Sequence, residues 1–445
     1  MRLVDGEIQK VRLPLQHSLV ILAMVSSAKK PPTLIDLFAG CGGLSLGLEF
    51  AGFEPVFVNE LNRDAMESYL LNRGHLSHDL RNAKRHCFDI KEVTKTNKRS
   101  EELASFLRAE HGEIDLVAGG PPCQGYSGIG HRRTFTDLSK SDIPSNHLYR
   151  HMARFVEAVQ PRAFVFENVR GLLSARWSPD GDRGEIWRDV QRAFSSIGGK
   201  GNTRGYQIGW ELVFAKGYGV PQNRPRVLMV GIRDDIRCSS VSSIADGFLP
   251  EPKGGAPDLK DLLGDLADPD WRKIGETTRY PFGATSEIQR LMRTRLDGSV
   301  ARKGDLITEM EYSNHSADVV RKFAYMIKNE GEIPEEMKTK KFAQRLLPEV
   351  WGPTGPSITA TSLPDDYVHF SLPRVPTVRE WARLQLFPDR YQFSGKRTTG
   401  GRRRAGNLDS GDWSRDVPKY TQIGNAVPIG LAQAVGEHVR TLIDR

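Results

Sequence analysis

The chain has 445 residues, of which 38% are hydrophobic, 8% aromatic and 27% charged, a balance that excludes a disordered or collagen-like protein and allows up to roughly three domains. Lys and Arg exceed Asp and Glu by 63 to 55, a net charge of +8, which is compatible with a polyanionic partner without requiring one. No stretch approaches the ~18 uninterrupted apolar residues of a membrane-spanning helix.

The N-terminal apolar run Leu19 to Val25 follows Arg2, Lys10 and Arg12. It is short for the core of a signal peptide, and a strand-like segment follows almost at once, so residues 1–32 are expected to be a leader without secretory function. Met24 offers an alternative start. The four cysteines, Cys41, Cys87, Cys123 and Cys238, form no CxxC pair and have no histidine at metal-ligand spacing. Reduced thiols are therefore expected, with no metal site and no disulfide framework, and one thiol is free to serve as a nucleophile.

From residue 33, short β-branched runs alternate with helical periodicity. Thr33 to Phe38, Pro55 to Asn59, Ile114 to Ala118, Ala163 to Phe166 and Val227 to Ile232 read as buried strands. A helix carrying Leu148, Met152, Phe155, Val156 and Val159 is expected behind Ser145 and Asn146, which are suited to cap it. Strand, helix and strand in succession predict an α/β fold with a doubly wound, mostly parallel sheet. After Arg233 the rhythm is lost, and residues 236–373 read as a second, smaller domain. That segment holds 18 basic against 21 acidic residues, leaving 45 against 34 elsewhere. The positive excess thus lies in the α/β part. Thr377-Val-Arg-Glu380 spells a capping box, with a helix expected through Trp381, Leu384 and Leu386. A glycine-rich loop from Ser394 to Gly406 then carries Lys396, Arg397, Arg402, Arg403 and Arg404, either a solvated turn or a phosphate-contacting segment. Pro428 opens a last helix with Leu431, Val435, Val439 and Leu442 on one face.

Chemistry gathers where these strands end. The first runs into Asp36-Leu-Phe-Ala-Gly-Cys-Gly-Gly43, glycines that serve either a tight turn or close approach to a ligand, and Glu60 ends the next strand, placed for a ribose diol. Ser45 stands where a dinucleotide fingerprint needs glycine, which disfavours that reading. Asp89, after the segment Cys87-Phe88, is placed for an adenine amino group. A further strand ends in Gly119-Gly-Pro-Pro-Cys-Gln-Gly-Tyr-Ser127, whose two prolines project Cys123 from the sheet edge. Phe166-Glu-Asn-Val169 offers Glu167 as a helix cap or a general acid. Arg224 and Arg226 share one face if extended, as salt-bridge partners or as ligands. Gln422-Ile-Gly-Asn-Ala-Val-Pro428 reads as a turn before the last helix.

In this order, DLFAGCGGLSLGLEFAGF (36 to 53), GGPPCQGYS (119 to 127), ENV (167 to 169), VPQNRPRV (220 to 227), TVREWARLQLFP (377 to 388) and QIGNAVP (422 to 428) resemble the cytosine-5 DNA methyltransferase family, of the bacterial restriction-modification type. The resemblance spans about 33 to 440. It implies the S-adenosylmethionine-dependent methyltransferase fold, with a catalytic domain in two parts, 33–235 and 374–445, interrupted by a target-recognition domain at 236–373. It implies methyl transfer to carbon 5 of a cytosine flipped out of double-stranded DNA. Cys123 would be the nucleophile, Glu167 the acid at ring nitrogen 3, Arg226 the partner of oxygen 2, and Arg224 a positioning residue. S-adenosyl-L-methionine would meet Phe38, Gly40, Gly42, Gly43, Glu60, Asp89, Ile90, Pro122, Leu148 and Asn425. Asn168 would hold the loop bearing Cys123. DNA contacts are expected from Ser127, Arg132 and Arg133 in a lid from Ser127 to Asp142, and from Arg402, Arg403 and Arg404. Arg279, Arg293 and Arg295 are candidates for base reading. The implied protein is a cytoplasmic, nucleoid-associated monomer, with a restriction endonuclease as functional rather than physical partner.

Competing readings are an amino-group methyltransferase, which would place an aromatic residue where Cys123 stands, an RNA cytosine-5 methyltransferase, and a catalytically silent DNA-binding regulator. The presence of every catalytic residue argues against the last.

Overall fold

The computed structural model describes residues 30–74, 80–122, 144–198, 203–236, 249–252, 254–338, 344–350, 356–358, 366–398 and 416–443. Five consecutively buried residues, Thr33–Leu37, form β1, as an apolar run flanked on both sides by strands must. Then follow α1 (Gly43–Phe50), β2 (Glu54–Asn59), α2 (Arg63–Leu71), β3 (His86–Cys87), α3 (Lys91–Thr94), α4 (Asn97–His111) and β4 (Leu116–Gly119). Next come α5 (Leu148–Val159), β5 (Ala163–Val169), α6 (Glu185–Ser195), β6 (Tyr206–Phe214) and β7 (Pro225–Arg233). The strands form one seven-stranded sheet ordered β3-β2-β1-β4-β5-β7-β6. All neighbours run parallel except β7, which is antiparallel to both β5 and β6. The expected mostly parallel sheet is therefore present. Its order reverses between β1 and β4, the place where open α/β sheets bind ligands at their carboxyl edge.

Beyond β7 lie α7 (Leu259–Leu263), α8 (Trp271–Ile274), α9 (Glu287–Met292), α10 (Ala317–Lys328), the short parallel pair β8 (Arg345–Leu346) and β9 (Tyr367–Val368), α11 (Val378–Arg383), α12 (Lys419–Asn425) and α13 (Ile429–Ile443). One face of the sheet is covered by α4, α5 and α6 through Leu107, Met152, Phe155, Val190 and Phe194. The other is covered by α1 and α13 through Leu44, Leu48, Leu431, Val435 and Val439, the apolar stripe expected of the last helix. Leu266, Trp271, Tyr280, Ile307 and Met310 make a separate core. A further cluster joins Leu259, Leu262 and Met292 to Trp381, Leu384, Phe387 and Tyr391, and these to Cys41 and Leu46. The segment after residue 374 thus packs against both α7 and α1.

Several local expectations are corrected. Strand β6 has no sequence signature: it is a sheet edge, its one buried residue is Val213, and its mixed pattern lacks a continuous apolar run. Helix α5 starts behind a 3₁₀ turn, Pro144–His147, and its N-cap is His147 rather than Ser145 or Asn146, with no side-chain capping hydrogen bond. The capping box of Thr377 and Glu380 is present, but α11 ends at Arg383, and Leu386 has φ +65, which turns the chain out of the helix. The segment at 422 is helical through Asn425, so the turn is confined to the residues just before α13. Arg293, expected as a reader of bases, is a core residue: it is buried, 2.6 Å from Asp265, and stacked 3.9 Å from the Tyr280 ring centroid.

Candidate active site

The loop after β1 is shaped by its neighbours more than by its glycines alone. Phe38 and Gly40 both have positive φ, +59 and +57. Phe38 N–H donates to Asn59 Oδ1 at 3.3 Å, and the Asn59 amide donates onward to the carbonyls of Cys87 (3.2 Å) and Phe88 (2.8 Å). Asn59 is buried and ties the ends of β1, β2 and β3 together. Glu60 accepts from Gly40 N–H at 2.8 Å and from Asn62 N–H at 2.7 Å. Burial pushes its carboxyl above the ordinary range, against the pull of these amides. A side chain built at Gly40 would meet open space. At Gly42, with φ +88, it would strike Arg73, Tyr69 and Tyr391, and at Gly43 the Val427 carbonyl at 2.7 Å. Open space for a ligand therefore adjoins Gly40, while Gly42 and Gly43 are glycines because protein fills the room a side chain would need. Asp89 Oδ1 accepts from Lys91 N–H at 2.9 Å, and Ile90 is buried. Leu61, beside Glu60, is 69% exposed, an apolar surface that sequence periodicity does not single out. Leu148 is half-buried, and Pro122 and Asn425 are exposed.

A second cluster sits at the ends of β4, β5 and β7. Glu167 and Asn168 are buried at the end of β5. Asn168 Nδ2 donates to the Pro121 carbonyl at 3.0 Å. A side chain at Gly120 would come within 2.8 Å of Glu167 Oε2, so the strand-to-loop passage lies directly against that carboxylate. Arg226 Nε stands 2.5 Å from Glu167 Oε1. Arg224 reaches different partners from Arg226. It precedes the strand, is buried, and donates to the carbonyls of Ile358, Gly424 (2.5 Å) and Ala426 (3.3 Å). It clamps the end of α12, an arrangement that needs the fold to be seen.

Cys123, Ser127, Arg132, Arg133 and the whole segment 123–143 lie outside the described residues, as do Arg402, Arg403 and Arg404. Two other thiols are described. Cys41 and Cys87 are buried, and desolvation pushes both up to about 12, which leaves them without thiolate character at neutral pH. Arg397 pairs with Glu311 at 3.3 Å, and Arg295 with Asp305 at 2.7 Å; Arg279 is exposed and donates to the Gly304 carbonyl at 2.7 Å. Among the described residues no group of His, Cys, Asp or Glu could hold a metal ion, and no helix is long and apolar enough to cross a membrane.

Known proteins resemble the chain over most of its length. The chain is 30% identical over 417 residues to the Type II methyltransferase M.DdeI of Desulfomicrobium norvegicum, covering 91% of this chain and 88% of that protein. It is 28% identical to the Type II methyltransferase M1.HphI of Haemophilus parahaemolyticus, covering 92% and 86%. Among solved structures, a chain described as a DNA modification methyltransferase encoded within an E. coli prophage aligns with a TM-score of 0.62 at 23% identity, covering 93% of this chain and all of that one. The S. pombe Dnmt2 methyltransferase aligns with a TM-score of 0.51 at 16% identity, covering 93% and 98%. These two show the fold. The profile of the C-5 cytosine-specific DNA methylases matches residues 33–441. The chain belongs to that family and is a DNA cytosine-5-methyltransferase.

Proposed function

We propose that this enzyme methylates carbon 5 of a cytosine flipped out of a specific double-stranded DNA sequence, through a covalent adduct with Cys123, as the protective member of a Type II restriction-modification system. The observation that carries the reading is the cluster in which Glu167 meets Arg226, Gly120 and, through Asn168, the Pro121 carbonyl. An acid and a cation share one buried site beside Gly120 and Pro121, which lead in sequence to Cys123.

The residues around β1 and β2 suit S-adenosyl-L-methionine. Space opens beside Gly40, a carboxylate at Glu60 keeps unused lone pairs for ribose hydroxyls, and Asp89 with Ile90 supplies an acceptor and an apolar surface for adenine. Phe38, Gly42, Gly43, Pro122, Leu148 and Asn425 would complete the pocket. When bound, this cofactor supplies an activated methyl group.

Cytosine carbon 5 is a poor nucleophile until carbon 6 is attacked. The Cys123 thiolate would add to carbon 6 while a proton taken up with the base is held between Glu167 and nitrogen 3, and the new enamine would place its electron pair on carbon 5. Arg226 would hold oxygen 2, and its charge would keep Glu167 oriented. After methylation, loss of the carbon 5 proton to water would expel Cys123 as thiolate, and return of the nitrogen 3 proton to Glu167 would leave neutral 5-methylcytosine. Such chemistry needs the base outside the duplex, and the segment from Ser127 to Asp142, with Arg132 and Arg133, would cover it. Residues 236–373 would read the sequence, while the positive excess of the remainder would hold the phosphates. The enzyme would act as a cytoplasmic monomer whose endonuclease partner shares only the DNA site. The test is Cys123→Ser. It should bind cofactor normally and transfer no labelled methyl to duplex DNA, and bisulfite sequencing of DNA from cells expressing the wild type should reveal one modified motif. Full transfer by the variant overturns the mechanism.

A further inference from the structure

Residues 40–43 are gripped from behind by side chains that the chemistry above does not use. Tyr391 O–H donates to the Cys41 carbonyl at 2.5 Å. Arg73 Nη1 donates to Tyr391 Oη at 3.1 Å and to the Tyr69 carbonyl at 2.9 Å, while Nη2 donates to the Gly42 carbonyl at 3.3 Å. Glu49 anchors the guanidinium at 2.5 Å, and the Tyr69 ring lies beneath it at 3.7 Å. The Tyr69 hydroxyl meets Ser45 Oγ at 2.7 Å, and Ser45 donates to Asp36 at 2.6 Å. Tyr69, Arg73 and Tyr391 are all buried.

Tyr391 comes from elsewhere in the fold. Its carbonyl accepts from Arg379 Nη2 at 2.8 Å, and Arg379 also donates to Thr308. Two residues earlier, Asp389 N–H donates to the Met292 carbonyl at 2.7 Å, and Asp389 Oδ2 accepts from Tyr280 O–H at 2.7 Å. The segment that ends in Tyr391 is thus hung from residues 280–308, and its hydroxyl reaches across to the backbone that adjoins the open space at Gly40.

We propose that Tyr391, oriented by Arg73, is a positioning residue for the cofactor loop, so that affinity for S-adenosyl-L-methionine depends on a contact supplied from outside the catalytic sheet. The inference rests on the cofactor assignment above. A carbonyl at Cys41 with no donor would let the left-handed backbone at Gly40 and Gly42 relax, and the amides that face the ligand would lose their fixed direction.

The experiment compares Tyr391→Phe with Tyr420→Phe in the full chain. Tyr420 is likewise buried, and its hydroxyl donates to the Pro376 carbonyl at 2.8 Å, outside the loop. Tyr391→Phe should weaken S-adenosyl-L-methionine binding about tenfold by calorimetry, as expected for one lost hydrogen bond. The rate at saturating cofactor should stay unchanged, and amides 40–43 should exchange faster in the free protein. Tyr420→Phe should lose comparable thermal stability and change neither quantity. Arg73→Lys keeps a charge beside Glu49, loses the second arm, and should act in the direction of Tyr391→Phe. Wild-type affinity with unchanged exchange in Tyr391→Phe overturns the proposal. Should the wild type itself fail to bind the cofactor, the cofactor assignment falls and the exchange measurement alone decides the role of Tyr391.

Discussion

Arg226 Nε lies 2.5 Å from Glu167 Oε1 in a diagonal pair across two antiparallel strands, with Val169 directly opposite Arg226 and Leu228 opposite Glu167. Both side chains are about nine-tenths buried, so removing one strands the other's charge. Arg226→Met should cost about 3–5 kcal/mol in urea unfolding. The double variant Glu167→Gln/Arg226→Met should be more stable than Arg226→Met alone, because it leaves no unpaired ion. All three, including Glu167→Gln, should lose at least ~100-fold in labelled methyl transfer. Retained activity in Glu167→Gln would remove the carboxylic acid from the reaction.

Glu60 separates a ligand contact from a loop cap. Glu60→Gln keeps an acceptor for Gly40 N–H while losing the negative charge proposed to meet a ribose. A hydrogen bond to a charged group contributes about 1.5–3 kcal/mol, so the Kd for S-adenosyl-L-methionine should rise roughly 10- to 100-fold. An unchanged Kd by calorimetry would leave Glu60 with its two backbone amides as its whole purpose.

Asp36 gives the fold a pH signature. It is wholly buried, accepts from Ser45, and desolvation raises its pKa from 3.8 to about 7. Because the folded chain prefers the protonated form, the contribution of Asp36 is most favourable below pH ~4 and is lost as the pH rises through 7. Asp36→Asn removes that loss. Its stability gain over wild type should grow between pH ~4 and ~7, level off above, and reach at most about 4 kcal/mol. Chemical denaturation at pH 5, 7 and 8 checks this, and a difference independent of pH would show that Asp36 does not titrate in this range.

Five of the seven strands, β1, β2, β4, β5 and β7, and the glycine and proline punctuation at their ends are readable from residue patterns, since buried strands are continuous apolar runs. What escaped was set by contacts between distant residues. Strand β6 owes its place to pairing with β7 and not to its own half-exposed pattern. Arg374, Arg379 and Arg383 look like surface charges in TVREWARLQLFP and its flank, yet all three are buried. Arg383 bridges Asp265 and Asp389 at 2.6 Å each, partners 118 residues upstream and six downstream. Asn59, which joins three strand ends, belongs to no motif that spacing reveals.

The buried pair of Arg374 and Glu380 should govern acid tolerance. The two arms of Arg374 reach the two carboxylate oxygens at 2.6 and 2.7 Å, and Thr377 N–H adds a third donor at 2.8 Å. Burial opposes ionisation, but Arg374 outweighs it and holds Glu380 at about 2, below its ordinary 4.5. Its stabilisation is therefore complete above pH 4.5 and disappears as the pH falls through 2. Glu380→Gln should be about 3 kcal/mol less stable than wild type at pH 7, and the gap should narrow progressively below pH ~4.5. A gap that stays constant down to pH 3 would assign the loss to packing rather than charge.

Of the cations in the basic loop, Lys396 and Arg397 lie within the described residues. Arg397 is engaged with Glu311 at 3.3 Å and with Ser313, so replacing it removes a tie to the 311–313 segment more than a phosphate ligand. Arg402, Arg403 and Arg404 carry the charge expected to release counterions from DNA. Neutralising these three should flatten the plot of log binding constant against log salt by up to roughly three units of slope, without changing the modified motif. Arg397→Ala should weaken DNA binding with the slope nearly unchanged. Binding titrations at four salt concentrations, run beside bisulfite sequencing, distinguish the two. Equal slopes for the triple variant and wild type would make that stretch a solvated turn, and phosphate binding would then rest on other basic residues of the catalytic part.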